Sequence, residues 1–123
     1  MRSILAEGVK MPPPPNQPQS KGDLQRFIKY TLESNPPSPG DKVNFNWIDL
    51  SKVDDLSDLF AKVDYNPVVN KWKVSHVKDM SGMFACSNFN GDLSNWEVSK
   101  DTNMRWMFAD CPLEKLPKWY NDK

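Results

Sequence analysis

The chain has 123 residues with 16 basic and 16 acidic side chains, so its formal net charge is zero. That length fits one domain, and a hydrophobic content of 38% keeps its core lean. Zero net charge removes the simple electrostatic route to nucleic acid or anionic lipid, and no apolar run nears the ~20 residues of a membrane span.

Eight of the eleven prolines lie between Pro12 and Pro39, whereas four of the five tryptophans lie after residue 70. Residues 1–19 therefore read as a proline-rich arm. Its Pro12-Pro-Pro-Pro-Asn-Gln-Pro-Gln stretch suits polyproline II and serves either as a spacer or as a docking segment for an aromatic groove. The opening Met1-Arg-Ser-Ile-Leu-Ala-Glu holds too short an apolar stretch for an export signal. The chain is accordingly expected in the cytoplasm or in a virion, and outside the cell only as a fragment of an exported protein.

Residues 20–40 follow as a capping helix and linker. Leu24, Phe27, Ile28 and Leu32, with Tyr30, form an apolar stripe over 23–34. Ser20-Lys-Gly-Asp23 resembles a capping box, and Asn35-Pro-Pro-Ser-Pro-Gly40 ends the helix.

From residue 41 to 123 the chain repeats itself. A shift of 24 residues places Trp72-Lys-Val-Ser-His-Val-Lys-Asp-Met-Ser-Gly-Met-Phe-Ala on Trp96-Glu-Val-Ser-Lys-Asp-Thr-Asn-Met-Arg-Trp-Met-Phe-Ala with seven identities. The reverse shift places Ile48-Asp-Leu-Ser-Lys-Val-Asp-Asp-Leu-Ser-Asp-Leu-Phe-Ala on the first of these with six. Three units result, 48–71, 72–95 and 96–119. Met80, Met83 and Phe84 stand at i, i+3, i+4 and predict one short helical turn per unit, with Gly82 on its outer side. Phe89-Asn-Gly-Asp-Leu-Ser predicts a short extended stretch. Such a unit encloses no core alone, so the units must stack.

The pattern Trp-x-Val-Ser-x-Val-x-Asp-Met-Ser-x-Met-Phe-x-x-Cys-x-x-Phe-Asn-x-Asp-Leu-Ser-x-Trp resembles the BspA-type leucine-rich repeat of the DUF285 group. That group is found in bacterial surface proteins, mycoplasma lipoproteins and phages. The resemblance covers roughly residues 44–119. It implies an α/β fold, a short right-handed leucine-rich-repeat-like solenoid of three ~24-residue units beneath an N-terminal capping helix. It implies binding and carries over no catalytic residue.

The repeat assigns structural places to Trp72, Trp96 and Trp119, to Met80, Met83, Met104 and Met107, and to Phe84 and Phe108. Cys86 and Cys111 are taken as one position in adjacent units, filling the core as a buried reduced pair rather than a disulfide. Leu113, Leu116, Pro117 and Trp119 are expected to fold across the last unit.

The candidate partner-binding residues are Trp106, Arg105, His76 and Tyr120. Trp106 replaces Asp58 and Gly82, so it either faces solvent beside Arg105 as a hot-spot pair or packs under the C-terminal segment near Leu116 or Tyr120. His76 matches Lys52 and Lys100 and reads as a surface polar site. The cluster Asp54, Asp55, Asp58 and Asp64 lacks a calcium-loop pattern, and Asp55 is better explained as a turn cap. Asp101 sits where Val53 and Val77 stand, so the last unit either opens there or turns Asp101 to local backbone donors. No nucleophile–base spacing, phosphate loop or metal cluster stands out, and no cofactor is expected. These features point to a non-enzymatic protein–protein interaction module, an adaptor or inhibitor that uses the repeat face and the arm to hold a protein partner. The alternatives are a structural subunit of a larger assembly such as a virion, or a fragment of a bacterial surface adhesin.

Overall fold

The computed structural model describes residues 16–113 and 115–120. Most of the proline-rich arm, residues 1–15, lies outside the described residues.

Helix α1 spans Lys21–Ser34, as its stripe predicts. Ser20 caps it by accepting the Asp23 backbone N–H at 3.1 Å, and the Asp23 carboxylate reaches back to the Gln19 N–H at 2.9 Å. This is the reciprocal bonding of a capping box, displaced by one residue at its outer end. Leu24, Phe27 and Ile28 are buried, while Tyr30 stands out at the surface. The helix ends at Asn35, whose N–H bonds the Thr31 carbonyl before two prolines that cannot continue it.

Beyond α1 the chain winds so that residues 24 apart lie side by side. Strand β1 (Lys42–Asn44) pairs in parallel with β2 (Asn66–Val68), matching Lys42 to Asn66 and Asn44 to Val68. Single parallel bridges join Asp55 to Asp79 and Asp79 to Asn103. The amides of Leu56, Asp58, Phe60 and Lys62 donate to the carbonyls of Asp79, Ser81, Met83 and Ala85 at 2.7–2.9 Å. One unit later Met80, Gly82, Phe84 and Cys86 donate in the same way to Asn103, Arg105, Met107 and Ala109 at 2.6–2.9 Å. Along this run the alternate amides of each unit thus feed the next, which gives the run a direction, while outside it Lys78, Asn88 and Asn103 donate back to Asp54, Val63 and Lys78.

The segment expected as a helical turn is a run of i→i+3 turns instead. Leu59 N–H bonds Leu56 O, Ala61 bonds Asp58 O and Val63 bonds Phe60 O, and the same triplet recurs at Met83, Ala85 and Ser87 and at Met107, Ala109 and Cys111. Only alternate amides turn inward, because the others serve the neighbouring unit. Two residues per run adopt left-handed φ: Asp58 (56°) and Lys62 (65°), Gly82 (63°) and Cys86 (57°), Trp106 (57°) and Asp110 (54°). A left-handed residue interrupts an α-helix, whereas it suits the third position of a β-turn.

This alternation corrects the cysteine assignment. Cys86 aligns with Lys62 and Asp110 on the outward, left-handed column and is exposed. Its inward neighbour Ser87 aligns with Val63 and Cys111 and is buried, donating its hydroxyl to Phe84 O at 2.7 Å. Cys111 is half-buried, with its thiol 3.2 Å from Phe89 O. The two cysteines are free and do not form a core pair.

A second correction concerns Asp101. It stays exposed, and Thr102 turns inward in its place, with its hydroxyl on Val77 O at 2.8 Å. The preceding turn closes from Thr102 N–H to Ser99 O, where the earlier units close from Val53 to Leu50 and from Val77 to Val74. The third unit therefore turns one residue late, and the bridge at Asn103 restores the 24-residue register.

Aromatic rings fill the interior between units. Phe60, Phe84 and Phe108 form a column with centroids 5.8 and 5.6 Å apart and planes within 10° and 4° of parallel. Phe89 stacks on Phe84 at 4.1 Å, and Trp119 stacks on Trp96 at 6.0 Å. Met80, Met83 and Met107 are fully buried, and Met104 nearly so. At the first unit Lys21 of α1 bonds the Ser57 hydroxyl at 2.9 Å, and Phe27 stacks on Trp47 at 6.1 Å. At the last unit Tyr120 meets Phe108 edge-on at 5.0 Å, and Trp119 bonds Leu93 O at 2.9 Å. Leu116 of that tail is half exposed.

Candidate functional site

The left-handed columns decide what the outer surface presents. The first column runs Asp58, Gly82, Trp106, and each residue there must hold φ near +60°. Gly adopts this without cost and Asp tolerates it, whereas a side chain as bulky as Trp is a true outlier, strained by about 1–2 kcal/mol. The sequence holds a signal for this backbone state, since Asp and Gly are the residues left-handed turns select. The alignment treats the position only as outward-facing. Gly82 itself is buried: the Asp58 carboxylate folds over it and meets the place a Cβ would take.

Trp106 is 67% exposed. Its ring carries the Arg105 guanidinium at 5.4 Å from the centroid, and no other ring stacks on it among the described residues. The reading in which Trp106 packs under the C-terminal segment is therefore replaced by the solvent-facing one. Arg105 is exposed as well and forms no ion pair among the described residues, where the two ion pairs belong to Lys21 with Asp55 and Arg26 with Asp23. An indole face and a planar cation with no ion pair among the described residues stand together at the surface.

The remaining expected site residues lie apart from this pair. Tyr120 is half-buried against Phe108 and closes the end of the core. His76 is exposed, yet its Nε2 sits 2.8 Å from Leu50 O and 3.0 Å from Val53 O of the preceding unit. Both partners only accept, so Nε2 carries the proton and staples two units. Beside it the described end of the arm is held down. Asp49 N–H donates to Asn16 O at 2.7 Å, and Gln17 Nε2 donates to the Ser51 hydroxyl at 3.1 Å and to the Asp49 carboxylate at 3.3 Å. The Ser51 N–H and hydroxyl beside Asp49 hold its carboxyl below the usual 3.8, against a smaller desolvation effect, with further help from Gln17 and His76.

A family model described as "Mycoplasma protein of unknown function, DUF285" matches residues 38–120. The chain belongs to the DUF285 family. The DUF285 match takes in β1, all three units and Trp106, and it leaves out α1 and the arm. No curated protein and no solved structure matches the chain. No helix among the described residues is long and apolar enough to cross a membrane.

Proposed function

We propose that this DUF285 chain is a short solenoid of the BspA-type leucine-rich-repeat kind, right-handed as that resemblance implies, and that it works as a non-enzymatic protein-binding module. The parallel 24-residue ladder and the column of Phe60, Phe84 and Phe108 support the solenoid reading. One observation carries the binding reading: Trp106 is both strained and exposed. Folding alone favours Gly or Asp at that position, as in the two preceding units, and gains little from an indole left in water. A strained residue kept against local preference, and of the type enriched in interface hot spots beside Arg, points to a partner. The partner is a protein, and the module acts as an adaptor or inhibitor in the cytoplasm or a virion.

The test is capture of partners from native lysate by the full chain and by Trp106→Ala, with mass spectrometry of what is held. Alanine keeps a Cβ at the left-handed position and loses only an exposed ring, so thermal stability should stay nearly constant. Loss of a specific captured protein supports the reading. Unchanged capture removes it.

A further inference from the structure

The direction of the ladder has a consequence at its last unit. The amides at 56, 58, 60 and 62 donate to the second unit, and those at 80, 82, 84 and 86 donate to the third. The equivalent outward amides of the third unit belong to Met104, Trp106, Phe108 and Asp110. Those of Trp106, Phe108 and Asp110 find no acceptor among the described residues. Backbone N–H groups are obligatory donors, and Phe108 is 7% exposed. Three aligned donors therefore face outward, two of them flanking the strained Trp106–Arg105 corner or belonging to it. Arg105 adds a planar cation with no carboxylate partner among the described residues, the geometry that takes an Asp or Glu side chain in two parallel hydrogen bonds.

A second copy of the chain does not match this end. Its own last unit offers donors again, and the opposite end, at Ser57 and Asp55, lies under Lys21 of α1. What fits is a chain that brings carbonyls on alternate residues together with negative charge.

We propose that the last unit docks a turn-forming segment of a partner protein, which lends backbone carbonyls to Trp106, Phe108 and Asp110 and an Asp or Glu side chain to Arg105. The docked segment repeats the turn run of a next unit and takes its place, the counterpart of strand addition at a sheet edge. This rests on the binding reading above and names its partner chemistry.

The probe is a synthetic peptide of residues 79–87 carrying Cys86→Ser, which holds the Ser81, Met83 and Ala85 carbonyls that the first unit already uses. A second peptide adds Ser81→Glu, since position 81 aligns with Arg105 and places its carboxylate against the guanidinium. Amide hydrogen exchange of the full chain, followed by NMR at millimolar peptide, should slow at least fivefold at Trp106, Phe108 and Asp110. At low ionic strength the Glu peptide should bind 3–10-fold tighter than its parent, and Arg105→Gln should make the two peptides equal. Unchanged exchange at the three amides overturns the docking mode, and equal affinity of the two peptides for the native chain overturns the acidic contact. Loss of lysate capture with Trp106→Ala despite unprotected amides leaves the binding reading standing without this mode. Protected amides with capture indifferent to Trp106→Ala sever the docking edge from that reading.

Discussion

The indole Nε1–H of Trp96 donates to the Val69 carbonyl, 27 residues earlier in the chain, at 2.9 Å, and both residues are buried. Trp72 makes the same bond to Phe45 O at 2.7 Å, and Trp119 makes it to Leu93 O at 2.9 Å. The repeat therefore uses tryptophan for two tasks at once. The ring fills the interior, and its one polar atom becomes the second donor to a buried carbonyl that already closes a turn, Val69 O with Trp72 N–H, Phe45 O with Ile48 N–H and Leu93 O with Trp96 N–H.

Trp96→Phe should keep most of the packing and remove one of the two donors to the Val69 carbonyl, the Trp72 N–H remaining. Losing one hydrogen bond while the acceptor keeps another costs about 0.5–1.5 kcal/mol, and Trp96→Ala, which also opens a cavity, should cost about 3–5 kcal/mol. Urea unfolding followed by circular dichroism measures both. A Trp96→Phe chain as stable as the native one shows that the hydrogen bond contributes nothing beyond ring volume.

Trp106→Gly should stabilise the chain. The left-handed strain of about 1–2 kcal/mol is relieved, while glycine's extra freedom in the unfolded state costs roughly 0.5–1 kcal/mol. A net gain of a few tenths to about 1 kcal/mol is expected in the unfolding midpoint. Gly82→Ala should move the other way, because it introduces the same strain and displaces the Asp58 carboxylate. Destabilisation by Trp106→Gly means that the indole packs favourably enough to outweigh its backbone.

Much of this architecture was legible from apolar spacing. Leu24, Phe27 and Ile28 mark the buried side of α1, and the 24-residue shift locates the Trp and Phe columns because those side chains must meet their counterparts. Backbone state was less legible. The i, i+3, i+4 spacing of Met80, Met83 and Phe84 is shared by a helical turn and by a run of tight turns, and periodicity alone does not separate them. Glycine at 82 and aspartate at 58 hold the distinguishing signal, since both tolerate left-handed φ. The 24-residue shift itself sets Cys86 on Asp110 and Ser87 on Cys111, so treating the two cysteines as one position slips the register by one residue. Thr102 was missed because a hydroxyl hides a buried role: it turns inward only by bonding Val77 O, which no hydrophobicity pattern reveals.

The two thiols should differ in reactivity. Cys86 is exposed on the outer column, whereas Cys111 is half-buried with its sulfur on the Phe89 carbonyl. A disulfide reagent such as dithionitrobenzoate should modify one thiol quickly in the native chain and the second only slowly, at a rate set by local opening. Cys86→Ser should remove the fast phase and leave the slow one. Removal of the fast phase by Cys111→Ser instead contradicts the inward placement of Cys111.

Acid should weaken the first unit, and the sign follows from two carboxyls. Burial raises the Asp55 carboxyl, but the Ser57 N–H and hydroxyl together with Lys21 outweigh it and hold the group below 3.8. Asp49 is also lowered, chiefly by Ser51. A carboxyl lowered in the folded state binds fewer protons there than in the unfolded chain. Its stabilisation is fully present above the unfolded value of about 4 and is lost as pH falls through the folded value. Denaturant midpoints should therefore hold steady from pH 7 to about 5 and fall below about 4. Asp49→Asn with Asp55→Asn should flatten that fall while lowering stability at neutral pH. Added salt should weaken the Lys21 part, which is partly exposed, and leave the Ser57 and Ser51 hydrogen bonds largely intact. A double variant whose midpoint falls as steeply as the native one below pH 4 places the acid sensitivity in other carboxyls and detaches it from the contact between α1 and the first unit.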